Sequence, residues 1–472
     1  MKNLFAHSLK EHSRICRSFF SEIRSGREIY IRFERKADYV NNRDSSYEAR
    51  YVRAEIATDH MLQYDLENLA VNEEMQPNRP SLSERYRPYM VSFLTEVPEN
   101  KEILSGEWFT ANFQSIGNAG SIAAEAENTV YEGVLEYSAS PVRYEKGRLI
   151  IFKNKSIPPD IQKKINSMCK DADFAVSTDG EIESILNSAW NKAALQTIDI
   201  YNLGKGNSDY IRGKGSRILY DIGYSYREFP GLKKRYRYYK ACGAIRSAKP
   251  SCVILSHWDM DHIIGCVYAR QSIFEVPWIA PCLEGKTGDK PSLNAYRLAR
   301  YLNCLRHLWL AERSRCTLKV ARIECGGGFM DLYRGAGRDS KITKVNSEGL
   351  YLNICSDSQH ILLAGDVPYL SMAPEVWGIP IDFLHVPHHC SDMNLKDLIR
   401  YSGYGAAAVV STNWKIDKGR GQVWKQNMDE GHRTVLEDKF AKVVCTTGNN
   451  VSRIDQWLSY QIYVRQGTAK FR

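Results

Sequence analysis

The stretch Ser256-His257-Trp258-Asp259-Met260-Asp261-His262 decides how the rest of the chain is interpreted. The apolar run 250–255 before it predicts a short buried strand, and residues 263–270 after it predict the first turns of a helix. Within the stretch, four side chains of metal-ligand type fall in six positions: His257, Asp259, Asp261 and His262. A strand-to-helix turn projects such side chains from a rigid edge, where a metal centre can be held in a defined geometry.

The spacing of these ligands favours a site for two metal ions rather than one. The alternation of His257, Asp259 and Asp261 places three side chains on one side of an extended turn, and His262 then points in an adjacent direction. The alternative is a solvated acidic loop that contains two histidines. A cluster this dense, directly after an apolar strand, makes the metal site the stronger interpretation.

Length and composition describe a folded protein with more than one core. A chain of 472 residues exceeds one ordinary domain and predicts two. No apolar run approaches the roughly 20 residues that span a bilayer, and the first residues lack the apolar core of a signal peptide. The 12 cysteines include no Cys-x-x-Cys pair, which argues against a disulfide frame or a zinc ribbon. We therefore expect a cytoplasmic protein with reduced thiols and no membrane partner.

Charge is distributed unevenly along the chain. The net charge is +9, with 24 basic against 29 acidic residues in 1–190 and 40 against 26 in 191–472. The part that carries the ligand cluster is thus strongly basic, although its own site needs carboxylates. Such a field favours a polyanionic substrate. A basic surface is also common without one, so charge alone does not decide the substrate.

We predict a small α+β domain over residues 1–190 and a ligand-bearing domain over 191–472. A helical apolar stripe from Leu4 to Arg24 and a strand-like alternation from Ile29 to Arg35 give the first domain its mixed character. The second is expected to contain an irregular, partly helical insertion at about 283–340, whose clearest helix is predicted over 293–310. Residues 1–190 carry no motif with catalytic chemistry, so we expect them to serve recognition, regulation or assembly, through a protein partner or a second copy of the chain.

Strands of the second domain repeatedly end in acidic or histidine residues. The predicted hairpin at 350–364 ends in Gly365-Asp366, and the next strand, which contains His385 as an ordinary strand residue, runs into Pro387-His388-His389-Cys390-Ser391. A later helix begins near His432. Strand ends of this kind, spread over about 200 residues, are what a dinuclear site on a β-sandwich requires.

These elements together resemble the metallo-β-lactamase fold, and more narrowly the hydrolase domain of the DNA-uptake channel proteins of competent bacteria (ComEC-type). The HxDxDH signature of that family matches the ligand stretch at 257–262. Its glycine turn DVGQGDS is similar to 202–208, its N…SLVL strand to 346–352, its LLTGD to 362–366, its GHHGS to 387–391 and its late HP element to 431–433. The six elements follow the family's order and cover about residues 195–465, which leaves residues 1–190 and the 283–340 insertion outside the resemblance.

The resemblance implies an αββα sandwich that binds two divalent metal ions, Mn²⁺ or Zn²⁺. One ion would be held by His257 and Asp259 and the other by Asp261, His262 and His388, with Asp366 as the bridging carboxylate. A third-motif ligand, which many relatives place between Asp261 and Asp366, has no clear match here. Because Asp259 stands where most relatives have an imidazole, the resemblance also implies a preference that shifts from Zn²⁺ toward Mn²⁺.

Catalytic roles are implied for three residues. Asp261 would orient the attacking water, and His389 or His432 would stabilise charge on a phosphate or protonate the leaving group. For each of these two histidines the alternative is that it only fixes a metal ligand in place.

A basic, aromatic stretch from Tyr224 to Lys240 predicts contact with a phosphate backbone and unpaired bases. The cations expected to bind nucleic acid are Lys233, Lys234, Arg235, Arg237 and Lys240. A solvated basic helix or loop is the alternative for each of them. With the resemblance, this stretch favours nucleic acid as the substrate, DNA more than RNA.

Three functions follow from these observations. The first is a metal-dependent phosphodiester hydrolase, a DNA nuclease that serves as an effector in prokaryotic (anti-phage) defence or in DNA processing; the defence role is an analogy to stand-alone relatives. The second is a small-molecule metallo-hydrolase that acts on a lactone, a thioester or a cyclic nucleotide. The third is a non-catalytic binding subunit with a degenerate site. Metal analysis of the purified protein would distinguish this function, because such a subunit should hold less than one tightly bound ion per chain.

Overall fold

The chain, seen in a computed structural model, divides into two compact units. The first comprises Met1–Asp173 and Ser292–Arg306, and the second comprises Phe174–Pro291 and His307–Arg472. The structure describes residues 2–33, 50–69, 82, 86–97, 107–115, 129–138, 143–170, 174–201, 206–223, 245–283, 291–313, 316–339, 341–342, 344–356, 359–411, 414–416, 423–425, 429–445 and 460–463.

Nine α-helices lie in these described residues. They are α1 (Lys2–Arg24), α2 (Asp59–Asn68), α3 (Pro159–Met168), α4 (Asp179–Trp190), α5 (Met260–Ile263), α6 (Leu293–Cys304), α7 (Lys344–Ser347), α8 (Lys396–Arg400) and α9 (Glu430–Lys439). Short 3₁₀ turns occur at Ile264–Tyr268, Gln271–Ile273, Tyr369–Ser371, Pro374–Gly378 and Pro387–Cys390. None of the helices in the described parts of the chain has the length and apolar character to span a membrane.

The strands separate into one barrel and two large sheets. Those of the first unit are β1 (Glu28–Phe33), β2 (Arg50–Ala57), β3 (Met90–Val97), β4 (Trp108–Ser115), β5 (Thr129–Ser138) and β6 (Arg143–Ile151). Those of the second unit are β7 (Val176–Ser177), β8 (Leu195–Ile200), β9 (Asp209–Gly213), β10 (Arg217–Tyr220), β11 (Cys252–Ile254), β12 (Trp278–Pro281), β13 (Leu308–Ala311), β14 (Leu318–Cys325), β15 (Gly328–Arg334), β16 (Leu350–Ser356), β17 (Gln359–Leu363), β18 (Phe383–His385), β19 (Ala407–Val410), β20 (Trp414–Ile416), β21 (Val423–Lys425), β22 (Val443–Cys445) and β23 (Tyr460–Tyr463).

The first unit is built on a closed antiparallel barrel of strand order β1-β2-β3-β5-β6-β4. Closure leaves the barrel with no free strand edge. Phe33, Phe93 and Phe113 are fully or almost fully buried, and Phe93 meets Phe113 edge to face at 6.1 Å. Aromatic contacts of this geometry add to the burial of apolar surface.

Helix α6 belongs to this first unit although the strands before and after it, β12 and β13, belong to the second. Arg297 on α6 is fully buried and its Nε donates to Asp65 Oδ2 at 2.8 Å. The hydroxyls of Tyr86 and Tyr89 donate to the same carboxylate at 2.9 and 3.0 Å, and Arg300 Nε donates to the Met168 carbonyl at 2.8 Å. Removing one member of such a buried pair typically costs about 3–5 kcal/mol, because the other charge is left uncompensated.

The second unit is a sandwich of two mixed sheets. The described strands of the first sheet follow the order β23-β8-β9-β10-β11-β12-β13-β7, and those of the second follow β14-β15-β16-β17-β18-β19-β22. In each sheet one part is antiparallel and the other parallel: β10 to β13 and β7 run parallel in the first, and β17, β18, β19 and β22 in the second.

One apolar core is shared by the inner faces of the two sheets. It joins Ile211, Ile254 and Ile279 of the first sheet to strands β14 to β19 and β22 of the second, with Leu186 and Trp190 of α4 packed against it. A separate cluster covers the outer face of the second sheet and includes residues of α8 and α9. The outer face of the first sheet is covered as well, where Trp278 stacks on Phe274 at 6.1 Å. The predicted αββα sandwich is confirmed.

The boundaries differ from those expected from the sequence. The first unit ends at Asp173, not at residue 190, because α4 packs into the sandwich core. The segment 283–340, expected to be an irregular insertion, contributes α6 to the first unit and β13, β14 and β15 to the two sheets. A β-bulge between Lys319 and Ala321 shifts the register of β14, which breaks the two-residue alternation that identifies a strand in a sequence.

Candidate metal centre

Parallel strands of both sheets end at one edge of the sandwich, and the candidate site lies there. Asp221 directly follows β10, and Ser256-His257 follows β11, which pairs in parallel with β10. Asp366 follows β17 and His388 follows β18, which also pair in parallel. In α/β sheets the carboxyl ends of parallel strands are the usual place for ligand-binding side chains. Local strand geometry thus explains why residues from four strands meet.

Asp366 lies at the middle of the site, and its two oxygens face different histidines. Oδ2 lies 3.6 Å from His257 Nε2 and 3.8 Å from His388 Nε2. Oδ1 lies 3.2 Å from His262 Nε2 and 4.0 Å from His389 Nε2. The carboxylate therefore separates two groups of possible ligands, as expected of a bridging residue.

One further carboxylate lies beside the histidines on each side of Asp366. Asp259 Oδ2 lies 3.5 Å from His257 Nε2, and Asp261 Oδ2 lies 3.3 Å from His389 Nε2. We call His257, Asp259 and His388 the His257 half, and Asp261, His262 and His389 the His262 half. The structure thus places His389 with Asp261 and His262, where the sequence assigned His388. Two sets have ligand atoms close enough for one ion: His257, His262 and Asp366, and Asp261, His262 and His389.

Three of the rings are hydrogen-bonded through Nδ1 on the outer side of the site, which directs their Nε2 atoms inward, as a metal would require. His257 Nδ1 donates to Ser256 Oγ at 3.0 Å, His262 Nδ1 to Asp221 Oδ2 at 2.8 Å and His389 Nδ1 to the Ser411 carbonyl at 2.8 Å. Their Nε2 atoms are buried and make no hydrogen bond of normal geometry among the described residues. Buried nitrogens without hydrogen bonds are costly, and a metal ion would satisfy all three. Imidazole with carboxylate suits Zn²⁺ or Mn²⁺.

Asp221 organises two of these rings from behind. Its Oδ1 accepts from the Ser256 N–H at 2.6 Å, and its Oδ2 accepts from Ser256 Oγ at 2.8 Å and from His262 Nδ1. Because Ser256 Oγ donates to Asp221, it is left to accept from His257. Asp221 was not among the site residues predicted from the sequence. The available signal was an acidic residue at the end of the apolar strand Ile218–Tyr220.

Two buried amides flank the central carboxylate. Asn207 Nδ2 lies 3.5 Å from Asp366 Oδ1, and Asn346 Nδ2 lies 3.3 Å from Oδ2. Both asparagines are 1% exposed. In the sequence, Asn346 lies between Asp261 and Asp366, the segment in which no third-motif ligand could be assigned. In the structure, Asn346 adjoins Asp366. Close approach of the backbone is required here, because a Cβ on Gly223 would lie 1.8 Å from the Asp261 carbonyl oxygen.

The backbone at the site adopts conformations that non-glycine residues rarely take. Asp221 has φ 59°, and three consecutive residues, His388, His389 and Cys390, have φ 47°, 55° and 65°. Left-handed backbone in such residues costs roughly 1–3 kcal/mol each and persists where the surroundings enforce it. The strained turn at 388–390 directs two adjacent histidines into the two halves of the site.

The carboxylates and His262 hold opposite charges. Burial would lower the pKa of His262, but Asp366 and Asp221 outweigh it and raise that pKa well above its usual value. Burial likewise opposes ionisation of Asp366, yet the surrounding histidines, His262 first, hold its pKa well below the usual range. Burial also opposes ionisation of Asp261, yet the neighbouring His389 and His262 lower its pKa. At neutral pH the metal-free site therefore pairs the carboxylates with an imidazolium at His262, whose Nε2 proton a metal would displace.

His432 lies in a different hydrogen-bond environment from the other histidines. Its Nδ1 donates to the Ser391 carbonyl at 2.9 Å, and its Nε2 accepts from the Tyr369 hydroxyl at 2.8 Å. Both ring nitrogens are thus engaged, and burial lowers the pKa of His432 to about 4. A neutral, fully bonded ring that fixes the chain at Ser391 is the role this geometry supports, rather than proton donation to a substrate.

The predicted nucleic-acid stretch lies outside the described residues. That applies to Lys233, Lys234, Arg235, Arg237 and Lys240. Most of the glycine turn at 202–208 also lies outside, and only its last three residues, Gly206, Asn207 and Ser208, are described.

Comparison with known proteins yields structural neighbours only, since no family model and no curated protein matches the chain. The metallo-β-lactamase-fold protein YhfI from Bacillus subtilis is 13% identical, covers 54% of this chain and 98% of its own, and has a TM-score of 0.31. A diphosphatase of the PhnP family is 11% identical over 53% of this chain and 85% of its own, with a TM-score of 0.26. Zinc-bound PqqB from Methylobacterium extorquens is 10% identical over 40% and 72%, with a TM-score of 0.23.

Proposed function

We propose that the chain is a metal-dependent phosphodiester hydrolase that cleaves nucleic acid, DNA more than RNA, as its resemblance to the ComEC-type domain implies. The observation that carries the proposal is the set of four histidines and two aspartates around Asp366, in which the buried Nε2 atoms of His257, His262 and His389 are directed inward. His257, Asp259 and His388 would hold one ion, and Asp261, His262 and His389 the other. Bound divalent ions would supply a water of lowered pKa and bind an anionic oxygen of the substrate.

The protein's own groups then position the reactants. Most of the set is buried, but the side chains of Asp259 and Asp261 are 32% and 36% exposed. They therefore form the open side of the centre, where a substrate would arrive. Asp261, held ionised by its histidine neighbours, can orient an attacking water. Asp221 and Ser256 keep the rings of His257 and His262 in the required tautomer.

Support for a polyanionic substrate comes from an open groove lined in large part by the segment that follows the turn at 388–390. It has a volume of about 560 Å³ and is lined by Lys341, Asp392, Met393, Asn394, Leu395, Lys396, Ile399 and Arg400. Asp392 is three residues from His389, so their backbones lie within about 11 Å. Lys396 and Arg400 are exposed, and Ile399 is 55% exposed. The exposed cations Lys396 and Arg400 suit a phosphate backbone.

The decisive experiment is cleavage by the full chain after removal and replacement of metal. Labelled single- and double-stranded DNA and RNA are compared with a chromogenic phosphodiester, a lactone and a thioester. We expect metal-dependent DNA cleavage, faster with Mn²⁺ than with Zn²⁺ because Asp259 supplies an oxygen ligand. Hydrolysis of the lactone or thioester alone would overturn the proposal in favour of a small-molecule hydrolase. Failure to bind any ion would favour a binding subunit.

The groove is tested by charge reversal. Lys396→Glu with Arg400→Glu should weaken binding of single-stranded DNA and lower the log–log salt slope by about 0.7 for each phosphate that the variant no longer neutralises. Hydrolysis of the small phosphodiester should be unchanged. Lys163→Glu, at an exposed position of α3, is the matched control and should leave the salt slope as it is. An unaltered slope in the double variant would exclude the groove from substrate binding.

A further inference from the structure

A chain of buried hydrogen bonds runs behind His389 and has no part in the proposed reaction. Asp209 Oδ2 lies 2.7 Å from His385 Nδ1, and His385 Nε2 lies 2.8 Å from Ser411 Oγ. The carbonyl of the same Ser411 accepts from His389 Nδ1 at 2.8 Å. The chain thus leads from β9, through β18, to the residue after β19 and then to a candidate metal ligand.

We propose that Asp209, His385 and Ser411 are positioning residues that hold His389 in the tautomer and orientation needed at the metal centre. The inference rests on the proposed function, because it requires that His389 binds metal. It adds three residues to the site, and the sequence alone gave no reason to select them, since His385 was expected to be an ordinary strand residue.

Burial excludes simpler roles for these residues. Asp209 is 0%, Ser411 1% and His385 2% exposed. The order Asp–His–Ser is that of a hydrolase triad, but a serine hydroxyl with so little exposure cannot attack a substrate. A buried carboxylate and imidazole are costly unless paired, and hydrophobic side chains would fill the same interior at lower cost. The arrangement therefore calls for a role other than packing.

The directions of the protons make the chain act on His389. Because the Asp209 carboxylate can only accept, His385 Nδ1 carries a proton, and His385 Nε2 is bonded to the Ser411 hydroxyl. This bond fixes the position of Ser411 and with it the direction of the Ser411 carbonyl, which can only accept from His389. His389 must then carry its proton on Nδ1, and its Nε2 lone pair faces Asp261 at 3.3 Å.

The same contacts hold the strained turn in place. His389 lies in left-handed backbone at φ 55°, so its side chain needs support from outside the turn to keep one direction. Ser411, directly after β19, which is paired on both sides in the second sheet, provides a fixed point. Orientation by hydrogen bonds behind a ligand generally affects metal affinity by 10- to 100-fold.

The test measures zinc affinity by competition with a chromogenic chelator, on the full chain without substrate. Ser411→Ala removes only the hydroxyl, and His385→Phe replaces the ring without its nitrogens. Each should weaken zinc binding by about tenfold, the lower end of the effect of removing a partner behind a ligand. Asp209→Asn keeps an acceptor for His385 and should bind zinc more tightly than His385→Phe. Binding that persists in Asp366→Ala is subtracted as background from other sites.

His360→Phe is the matched control for loss of a buried histidine. His360 is 3% exposed, lies on β17 of the same sheet and contacts Asn353 and the Pro380 carbonyl. The control should lose stability yet keep the zinc affinity of the unaltered protein. If His385→Phe does not fold, Ser411→Ala decides the matter.

A spectroscopic measurement separates positioning from general stabilisation. Nitrogen-15 chemical shifts of labelled imidazoles should show a proton on His389 Nδ1 in the metal-free unaltered protein and a mixture of tautomers in Ser411→Ala. Unchanged zinc affinity and an unchanged His389 tautomer in folded Ser411→Ala would overturn the proposal. An equal loss of affinity in His360→Phe would also overturn it. Absence of zinc binding by the unaltered protein would instead overturn the metal centre itself, which keeps the two failures distinguishable.

Discussion

Replacing Asp221 by asparagine should weaken the metal centre from behind, without touching a ligand. Asp221 accepts three hydrogen bonds, two from Ser256 and one from His262 Nδ1. An asparagine side chain has one oxygen to accept and a nitrogen that only donates. At least one of the three donors will therefore face another donor in Asp221→Asn.

Both orientations of the new amide are unfavourable. If its nitrogen faces His262, the ring must shift its proton to Nε2, which blocks the atom that would bind metal. If its nitrogen faces the Ser256 N–H, a buried donor loses its partner, at a cost of about 1–3 kcal/mol. We therefore expect zinc affinity to fall by 10- to 100-fold, which corresponds to about 1.4–2.7 kcal/mol.

The assay is chelator competition at pH 7, with Asp382→Asn as the matched control. Asp382 Oδ2 accepts the His360 N–H at 2.8 Å and contacts no candidate ligand among the described residues. Its variant should bind zinc like the unaltered protein. Zinc affinity in Asp221→Asn within threefold of the unaltered protein, while Asp366→Ala has lost binding, would refute the reasoning from the tautomer.

Three further results are expected. Asp366→Ala should abolish cleavage and reduce metal content while the thermal transition stays cooperative, as measured by metal analysis and calorimetry; normal cleavage would contradict the site. The pKa of His262 is raised in the folded, metal-free protein. Protonation of His262 therefore stabilises the folded state fully below the ordinary histidine pKa of about 6.5. That stabilisation is lost as the pH rises through the raised pKa of the folded state. A metal must displace that proton, so zinc affinity should rise about tenfold per pH unit from pH 6 to 8; a flat profile would contradict it. A fragment 174–472, which keeps α4 in the sandwich core, should aggregate because Arg297 and the apolar side chains of α6 lose their partners. Replacement of 292–306 by a Gly-Ser linker in that fragment should restore soluble, metal-binding protein; a soluble fragment that retains α6 would show that α6 does not need the first unit.

The local pattern of the sequence was enough to select candidate ligands that the structure brings together. A short apolar run followed directly by polar residues marks a strand end, and this held at His257, Asp366 and His388. The period-two pattern depends only on neighbouring residues, so it survives without knowledge of the fold. The same local argument identified α1, α9 and the β16–β17 hairpin to within a few residues.

Helix α6 shows where local patterns fail. The sequence predicted a helix over 293–310, but it ends at Cys304, and the apolar run Leu308–Ala311 is strand β13. Periodicity cannot distinguish a short apolar strand from the end of a helix. Nor could it place α6 in the first unit, because that depends on Arg297 meeting Asp65, more than 200 positions away in the chain.

Only the tertiary structure decided which side chains act together. Asp221 is 41 positions from His262, and Asp209 is 176 positions from His385, so no spacing in the sequence relates them. The side on which a ring nitrogen is protonated depends on the group behind it, and those groups arrive from other strands. For that reason His388 and His389, adjacent and chemically identical in the sequence, face different oxygens of Asp366, while His432 is bonded at both nitrogens away from them.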